Sequence, residues 1–421
     1  NFFLSLLALS YSSVIKEDRS ISARPLDRGD IVSAGPFVPV ENGDPDVDFL
    51  VANRDFVNGR PFLDSMEIRR DVADVPAAMA RGELDLAYNL PASSAEAMRK
   101  GGFVGNLDYY TSRYCYGLVV NFSRRSCLSR SADLRRAVAM AIDKDGIVDG
   151  ILGGKAVRAD AILPPELVDL GGRSIIPHDP AEAARIVQRL KAGEDLERPI
   201  NLAIRGYANV PNQRQVAEKI EADLNRIGLR VSTTYHPQGT PIDSFRDDYD
   251  IVFLAFLSEL DLYSAVEPFI NPQGGDNYFG YDNPRLFRML NDSITIKDGD
   301  ARKEAFIGIL EELARDVFSV PLFFNKCLLA TRPGVRAVFM SAEESILPDA
   351  AYLVSGAAAG GAAALDEALG AGYADAIGRL EGGTSVVVET SASLIATGKS
   401  IGASIARQKK GTNDANDLFT S

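Results

Sequence analysis

The chain has 421 residues, 46% of them hydrophobic and 24% charged, with a formal net charge of −13 at pH 7. That length supports two or three domains with a sizeable core, and the composition is that of an ordinary globular protein. The acidic excess repels phosphate backbones and anionic lipid, which excludes nucleic acid and membrane surfaces as natural partners and suits a neutral or cationic ligand.

In chain order, "NFFLSLLALSYSS" opens the sequence. It is apolar like the middle of a signal peptide, but it lacks an initiating Met and a basic leading region and is too short to span a bilayer; a buried element fits it equally well. "FLVANRDFVNGRPFLDSMEIRR" predicts a strand ending at Asn53, a turn through Asn58-Gly59 and a strand around Met66–Arg70, because Asn-Gly supplies the positive φ such a turn needs. "DVPAAMARGELDLAYNLP" predicts a helix stopped by Gly82, a strand over Leu84–Tyr88 and a loop begun by Pro91. "YCYGLVVNF" is β-rich. It leads into one predicted helix over "SADLRRAVAMAIDKDGIVDGIL", capped by Ser131 or Asp133, with Leu134, Val138 and Ile142 on one face.

Residues 179–257 alternate regularly. Asp179 caps a helix beginning at Pro180, with Glu182 in a capping-box position. "PINLAIRG" alternates as a strand. "NQRQVAEKIEADLNRIGL" puts Val216, Ile220, Leu224 and Ile227 on one face and stops at Gly228, and "LRVSTTY" alternates again. A short helical stretch precedes the apolar strand Tyr249–Leu257. Strand, helix, strand, helix, strand is the signature of an α/β lobe. A helix over Ala301–Val317, capped by Asp300, and the strand "SVPLFF" follow. Residues 356–421 are Ala/Gly-rich and then polar, and read as a separate tail, weakly helical or disordered.

Cys115, Cys127 and Cys327 cannot all pair, and no C-x-x-C occurs; free or partly buried thiols are expected, with one disulfide plus one thiol as the alternative. His178 and His236 each sit beside a proline in predicted loops, so no His-rich metal site and no metal is expected. "SLIATGKS" ends like a phosphate-binding loop, but Ser393 stands where that loop needs glycine, which leaves a chance match as the better reading. Glu259 and Asp261 lie two apart where the strand Tyr249–Leu257 ends. They read as a solvated turn, as ligand-binding carboxylates, or as a catalytic pair, the last without any Ser-His-Asp or Cys-His arrangement to support it. Tyr114, Tyr116, Asn121, Asn212, Gln213, Asn277 and Tyr278 are aromatic and amide side chains of the kind that line clefts; singly, each is more often core or surface.

Several stretches then fall in a familiar order: "LVANRDFVNGRPFLDSMEIR", "GELDLAYNLP", "SADLRRAVAMAIDKDGIVDGILGGKAV", "AEKIEADLNRIGLRV", "GYDNPRLFRML" and "DVFSVPLF". Over roughly residues 1–350 the chain resembles the family-five extracellular solute-binding proteins, the oligopeptide, dipeptide and nickel receptors of ABC importers. The resemblance implies an α/β, type II periplasmic-binding-protein-like architecture: two lobes on a hinge that close over a ligand in the cleft. It implies a first lobe from residues 1–120 and 325–355, incomplete because the chain begins inside the family pattern, and a second lobe from 121–324. It implies an amine-holding carboxylate at Glu259, with Asp261 the fallback, and a pocket wall altered by Phe256, where the family often has Trp. Ligand-binding residues are thus expected at Glu259, Asp261, Tyr114, Tyr116, Asn212, Gln213 and Phe256. The implied protein is a monomeric, non-enzymatic, periplasmic or cell-envelope receptor for a peptide or similar small solute, docking on ABC permease subunits and needing no cofactor. A ligand-sensing regulatory domain and a hydrolase using Glu259 and Asp261 are the rival readings.

Overall fold

The computed structural model describes residues 35–40, 43–57, 59–164, 170, 175–191, 196, 198–207, 210, 212–257, 262–336, 338–340, 346–347, 351–353 and 385–389. They fall into two compact units. A flanking unit holds those up to Tyr110 and those from Cys327 onward, and a central unit holds those from Thr111 to Lys326.

The flanking unit starts with an antiparallel meander, β1 (Phe37–Val40), β2 (Val47–Ala52) and β3 (Ser65–Arg69). Helix α1 (Val75–Arg81) follows. Asp74 accepts the Ala77 N–H at its start, and Gly82, at φ 75°, ends it in the left-handed conformation that glycine adopts without penalty. Next come β4 (Leu86–Pro91) and α2 (Ser94–Lys100). Pro91 is therefore the last residue of a strand and a helix follows soon after, where the sequence suggested a loop. The long strand β5 (Asn106–Val120) then carries the chain into the central unit.

In the central unit, α3 (Cys127–Arg130), α4 (Ala132–Ala141), β6 (Ala156–Arg158) and α5 (Pro180–Leu190) lead into a parallel βαβ crossover. The crossover is β7 (Ile200–Arg205), α6 (Gln213–Arg226) and β8 (Val231–His236). Strand β9 (Ile251–Leu257) lies parallel on the other side of β7 and antiparallel to β5. Helices α7 (Glu267–Ile270), α8 (Pro284–Thr295) and α9 (Gly299–Asp316) precede β10 (Ser319–Thr331), which returns the chain to the flanking unit. There β4 pairs antiparallel with its far end. The two-residue strands β11 (Val335–Arg336) and β14 (Tyr352–Leu353) pair with each other, as do β12 (Phe339–Met340) and β13 (Ile346–Leu347). Strand β15 (Ser385–Glu389) comes last.

Both faces of the central sheet are covered, and the period-two alternation of its strands deals each residue to one face. Tyr116, Leu118, Leu202, Ile204, Ile251 and Phe253 join α4, α5 and α6 in one core. Cys115, Val119, Ala203, Val252, Leu254 and Phe256 join α8 and α9 in the other. Strands β5 and β10 approach so closely that a Cβ on Gly117 would lie 2.6 Å from the Val320 carbonyl oxygen.

The helix expected over "SADLRRAVAMAIDKDGIVDGIL" is broken. Ser131 caps its start, accepting from Leu134 N–H, but α4 ends at Ala141 and a π-helical turn takes over at Gly146–Ile151. The break comes from a distant helix. Asp223 on α6, fully buried, accepts the Asp143 N–H at 3.1 Å and the Lys219 ammonium at 2.7 Å, while Asp143 Oδ1 accepts the Gly146 N–H at 2.9 Å. Two smaller differences follow from side-chain chemistry. Helix α9 is capped by Asp298, which accepts the Ala301 N–H, and not by Asp300. His236 ends a strand and stacks on Phe245 at 3.8 Å between ring centroids instead of lying in a loop. Cys115, Cys127 and Cys327 are all free thiols.

A buried polar network holds α4 to the end of α9. Arg135, 5% exposed, donates to the Asp316 carboxylate and carbonyl at 2.8 Å each and lies over the Phe122 ring, and Tyr281 donates its hydroxyl to the same carboxylate at 2.7 Å. Immediately after it, Val317 adopts φ 50° and ψ 54°, a strained conformation for a β-branched residue, while fully buried.

Two outcomes are expected from this architecture. Gly117→Ala forces the β5 and β10 backbones apart and lowers unfolding stability by about 1–3 kcal/mol, read from urea melts. The Asp143 carboxyl is held below the ordinary carboxylate range, first by the Gly146 N–H and then by Lys219. A depressed carboxyl contributes stability that is fully present above its unfolded value, about 3.9, and is lost as the pH falls through the folded one. Asp143→Asn should therefore lower stability at pH 7 and flatten its decline below about pH 4.

Candidate functional site

In parallel α/β sheets the strand carboxyl ends are where chemistry collects, because the strands themselves are buried on both faces. In the central unit that edge is formed by the ends of β7, β8 and β9, with Arg205 in register with His236. Antiparallel β5 contributes Tyr114, opposite Leu257, at the same end.

Strand β7 stops at Arg205 while β9 continues, so the Ala255 N–H has lost its strand partner. Tyr207 replaces it. Its hydroxyl accepts the Ala255 N–H at 2.9 Å, and its ring meets Tyr116 edge-on at 5.4 Å and Phe253 at 6.3 Å. Burial pushes the Tyr207 phenol above its usual range, with the Arg205 charge opposing, so it stays neutral. Gln213 closes the turn from β7 to α6: its amide oxygen accepts the Tyr207 N–H at 3.1 Å and its amide nitrogen donates to the Arg205 carbonyl at 2.5 Å. Asn212, at φ 57°, donates to the Ile151 carbonyl at 3.2 Å. Both amides expected to face a ligand are thus engaged by backbone, Gln213 by the turn it closes and Asn212 by the end of the π-helical turn at Ile151.

Held in that turn is a group that the sequence reading passed over. Arg205 is half-buried, its guanidinium 5.7 Å from the Tyr207 ring centroid, and its buried Nε has no hydrogen-bond partner among the described residues. Its charge and side chain act on the Tyr207 phenol beside it, and the Nε leaves capacity for charge-assisted pairing with an anionic group. The available signal was a charge closing an otherwise alternating apolar strand, immediately before Gly206.

The remaining expected residues separate by depth. Tyr116 is 1% exposed, stacked with Phe323 at 5.4 Å and Phe253 at 6.1 Å. Phe256 is 2% exposed, against Phe269 at 5.0 Å. Both are core side chains that stiffen the sheet below the edge. Tyr114 is half-buried at the edge itself. Asn121 spends its amide on the Arg246 and Tyr249 carbonyls, and Asn277 on those of Asn271 and Tyr281, while Tyr278 packs partly buried on the second core. Glu259 and Asp261 lie outside the described residues, just beyond Leu257, as do residues 393–400 with their phosphate-loop-like ending. No cluster of three metal-ligating side chains occurs among the described residues.

Known proteins share this sequence pattern and fold. The chain is 23% identical over 333 residues to the probable D,D-dipeptide-binding periplasmic protein DdpA of Escherichia coli, covering 77% of this chain and 63% of the relative. The chain thus spans less than two thirds of that relative's length. Among solved structures, NikA from Staphylococcus aureus in complex with Ni(L-His)2 superposes with a TM-score of 0.67 at 16% identity, covering 83% of this chain and 74% of that one. A dipeptide-binding protein from Pseudoalteromonas sp. SM9913 in complex with Met-Leu gives 0.64 at 18% identity, over 76% and 64%. The fold is that of the type II periplasmic binding proteins, and these relatives are binding proteins, not enzymes. The model of the bacterial extracellular solute-binding proteins, family 5 Middle, matches residues 2–277, and the chain belongs to that family.

Proposed function

We propose that the protein is the substrate-binding component of an ABC importer and that its ligand is a peptide or a similar small zwitterion. The observation that carries the ligand reading is the half-buried guanidinium of Arg205 at the carboxyl end of β7, its Nε lacking a partner among the described residues. A free carboxylate is its natural complement: planar, bidentate and anionic. The neighbouring strand β9 leads directly to Glu259 and Asp261, a complement for the other end of a zwitterion. In this reading Glu259 holds the ligand ammonium, Asp261 seconds it, and Tyr114 lines the edge. Charged pairs of this kind strengthen as water is excluded, so a ligand satisfying both ends gains more than the sum of two exposed contacts. One relative is named a probable D,D-dipeptide-binding protein, one solved structure holds Met-Leu and another Ni(L-His)2; the dipeptides present an ammonium and a carboxylate. The partner would be an ABC permease and the location the periplasm or cell envelope, as the relatives' periplasmic names suggest.

Calorimetric titration of the purified chain with a dipeptide series, its N-acetylated and C-amidated forms, and a nickel–histidine complex tests this. The free dipeptide should bind, and each blocked form should lose affinity by about 10- to 100-fold, the worth of one charge-assisted bond. Arg205→Met should abolish discrimination against the C-amide only, and Glu259→Gln discrimination against the N-acetyl form only. Binding of the nickel complex with none of the peptides would overturn the peptide reading. Equal affinity for the C-amide and the free acid would remove Arg205 from it.

A further inference from the structure

The central unit has a second opening, at the end of its sheet away from Arg205. Val120 donates its N–H to the Phe318 carbonyl at 3.1 Å and is in register with Ile251. Strand β10 therefore begins at the amino end of β9, while Tyr114 and Leu257 mark the other end. Beside that beginning, a cleft of about 340 Å³ lies between α4, α9 and the pair Ile175-Ile176. Its volume falls within the range of small-ligand pockets, about 300–1,000 Å³.

The walls are apolar. Ile175, Ile176, Ile307 and Ala314 carry no polar side-chain atom. Ile307, Leu310 and Ala314 share one face of α9, and the small side chain of Ala314 leaves room that a larger one would fill. The opposite wall is fastened to α4, because Asp179 donates its N–H to the Met140 carbonyl at 2.9 Å while its carboxylate caps α5. Behind Ile175, Ile176 and Ala314 a further space of about 30 Å³, room for little more than a water molecule, reaches Lys144 and Asp160. Lys144 donates to the Ala159 carbonyl at 2.9 Å and lies 3.7 Å from Asp160. A charged head thus finds neither space nor an open charge inside, and its place is the mouth.

The mouth is cationic in a chain of net charge −13. Arg136 on α4 is exposed there and makes no ion pair among the described residues. Arg315 on α9 shares Glu312 with Arg285, whose guanidinium is 3.4 Å from that carboxylate, so one anion serves two cations. Among the described residues lining the cleft, Glu311 alone opposes them, and it disfavours a doubly charged head.

We propose that this cleft is a second ligand site and that it takes an amphipathic monocarboxylate with a straight alkyl chain of medium length. The chain lies against Ile175, Ile176 and Ile307, and the carboxylate stays at the rim with Arg136 and Arg315. The inference does not depend on Arg205 or on the ligand read for the strand edge.

Calorimetric titration of the full chain with octanoate tests it. Octanoate should bind at one equivalent. Each buried methylene is worth about a factor of four, so hexanoate should bind about tenfold more weakly. Acetate lacks the tail and octylammonium the charge, and neither should bind measurably. Arg136→Gln should weaken octanoate about tenfold, the worth of one charge-assisted bond, and as an exposed residue it can be replaced without threat to the fold. Ala314→Leu fills the cleft and should abolish binding, with the thermal melt confirming that the variant is folded. Arg205→Met should leave octanoate affinity unchanged, whether or not the strand edge binds a peptide. No binding of octanoate, or equal binding of octylammonium, overturns the proposal. So does octanoate affinity that is unaltered in both Arg136→Gln and Ala314→Leu. Loss of octanoate binding in Arg205→Met would move the carboxylate to the strand edge and overturn it as well.

Discussion

A sheet buried on both faces has no room for a charge except where its strands end. In the central unit this constraint sets almost everything else. Five of the seven residues of β9 are buried, split by alternation between two cores, and charged groups stand before it and beyond it. Asp250 precedes the strand, where its carboxylate accepts the Asn201 N–H at 2.8 Å and pairs with Arg124 at 3.4 Å. Arg205 closes β7 and the carboxylates Glu259 and Asp261 follow β9. The two ends differ in one respect. At the amino end of β9 the charges satisfy one another and lock the strand entry. At the carboxyl end of β7 a cation keeps a buried donor without a partner among the described residues.

The turn carrying that cation is built from the sheet outward. Tyr207 completes the hydrogen bonding of β9 where β7 has run out, and its ring is wedged on Tyr116 and Phe253. Gln213 ties the same turn to the first residue of α6. Arg205 is thus supported by groups whose positions are fixed by packing, which limits the entropy lost when it meets an anion. Tyr116 and Gln213, candidates for ligand contact by type, pack and hydrogen-bond around the turn that carries Arg205.

Legibility from sequence followed the range of the interaction. Most caps made within four residues were readable, Asp179 accepting from Glu182 N–H, Ser131 from Leu134 N–H, Gly82 and Gly228 at positive φ, although at α9 two nearby aspartates left the choice between Asp298 and Asp300 to the structure. Strand periodicity was readable too, since it records burial directly. The break after Ala141 was not, because the carboxylate that enforces it, Asp223, lies on another helix. Nor was Pro91 as a strand residue, since the strand is defined by its pairing with β10. Arg205 escaped because an isolated arginine looks like surface until the turn around it is known. The family resemblance drew attention to Glu259, and the turn geometry adds the opposite charge.

The two deepest thiols have a use that follows from where they lie. Cys115 is in the central unit and Cys327 in the flanking unit, and both are 0% exposed. Burial raises the Cys115 thiol well above its ordinary range, and Cys327 points its Sγ at the Asn89 amide oxygen, 3.4 Å away. Neither can meet an alkylating reagent until its own surroundings open, whereas half-buried Cys127 needs no such event. The chain therefore carries one native reporter in each unit, and the order in which the two sulfurs become modified is a clock for which half of the molecule loosens first.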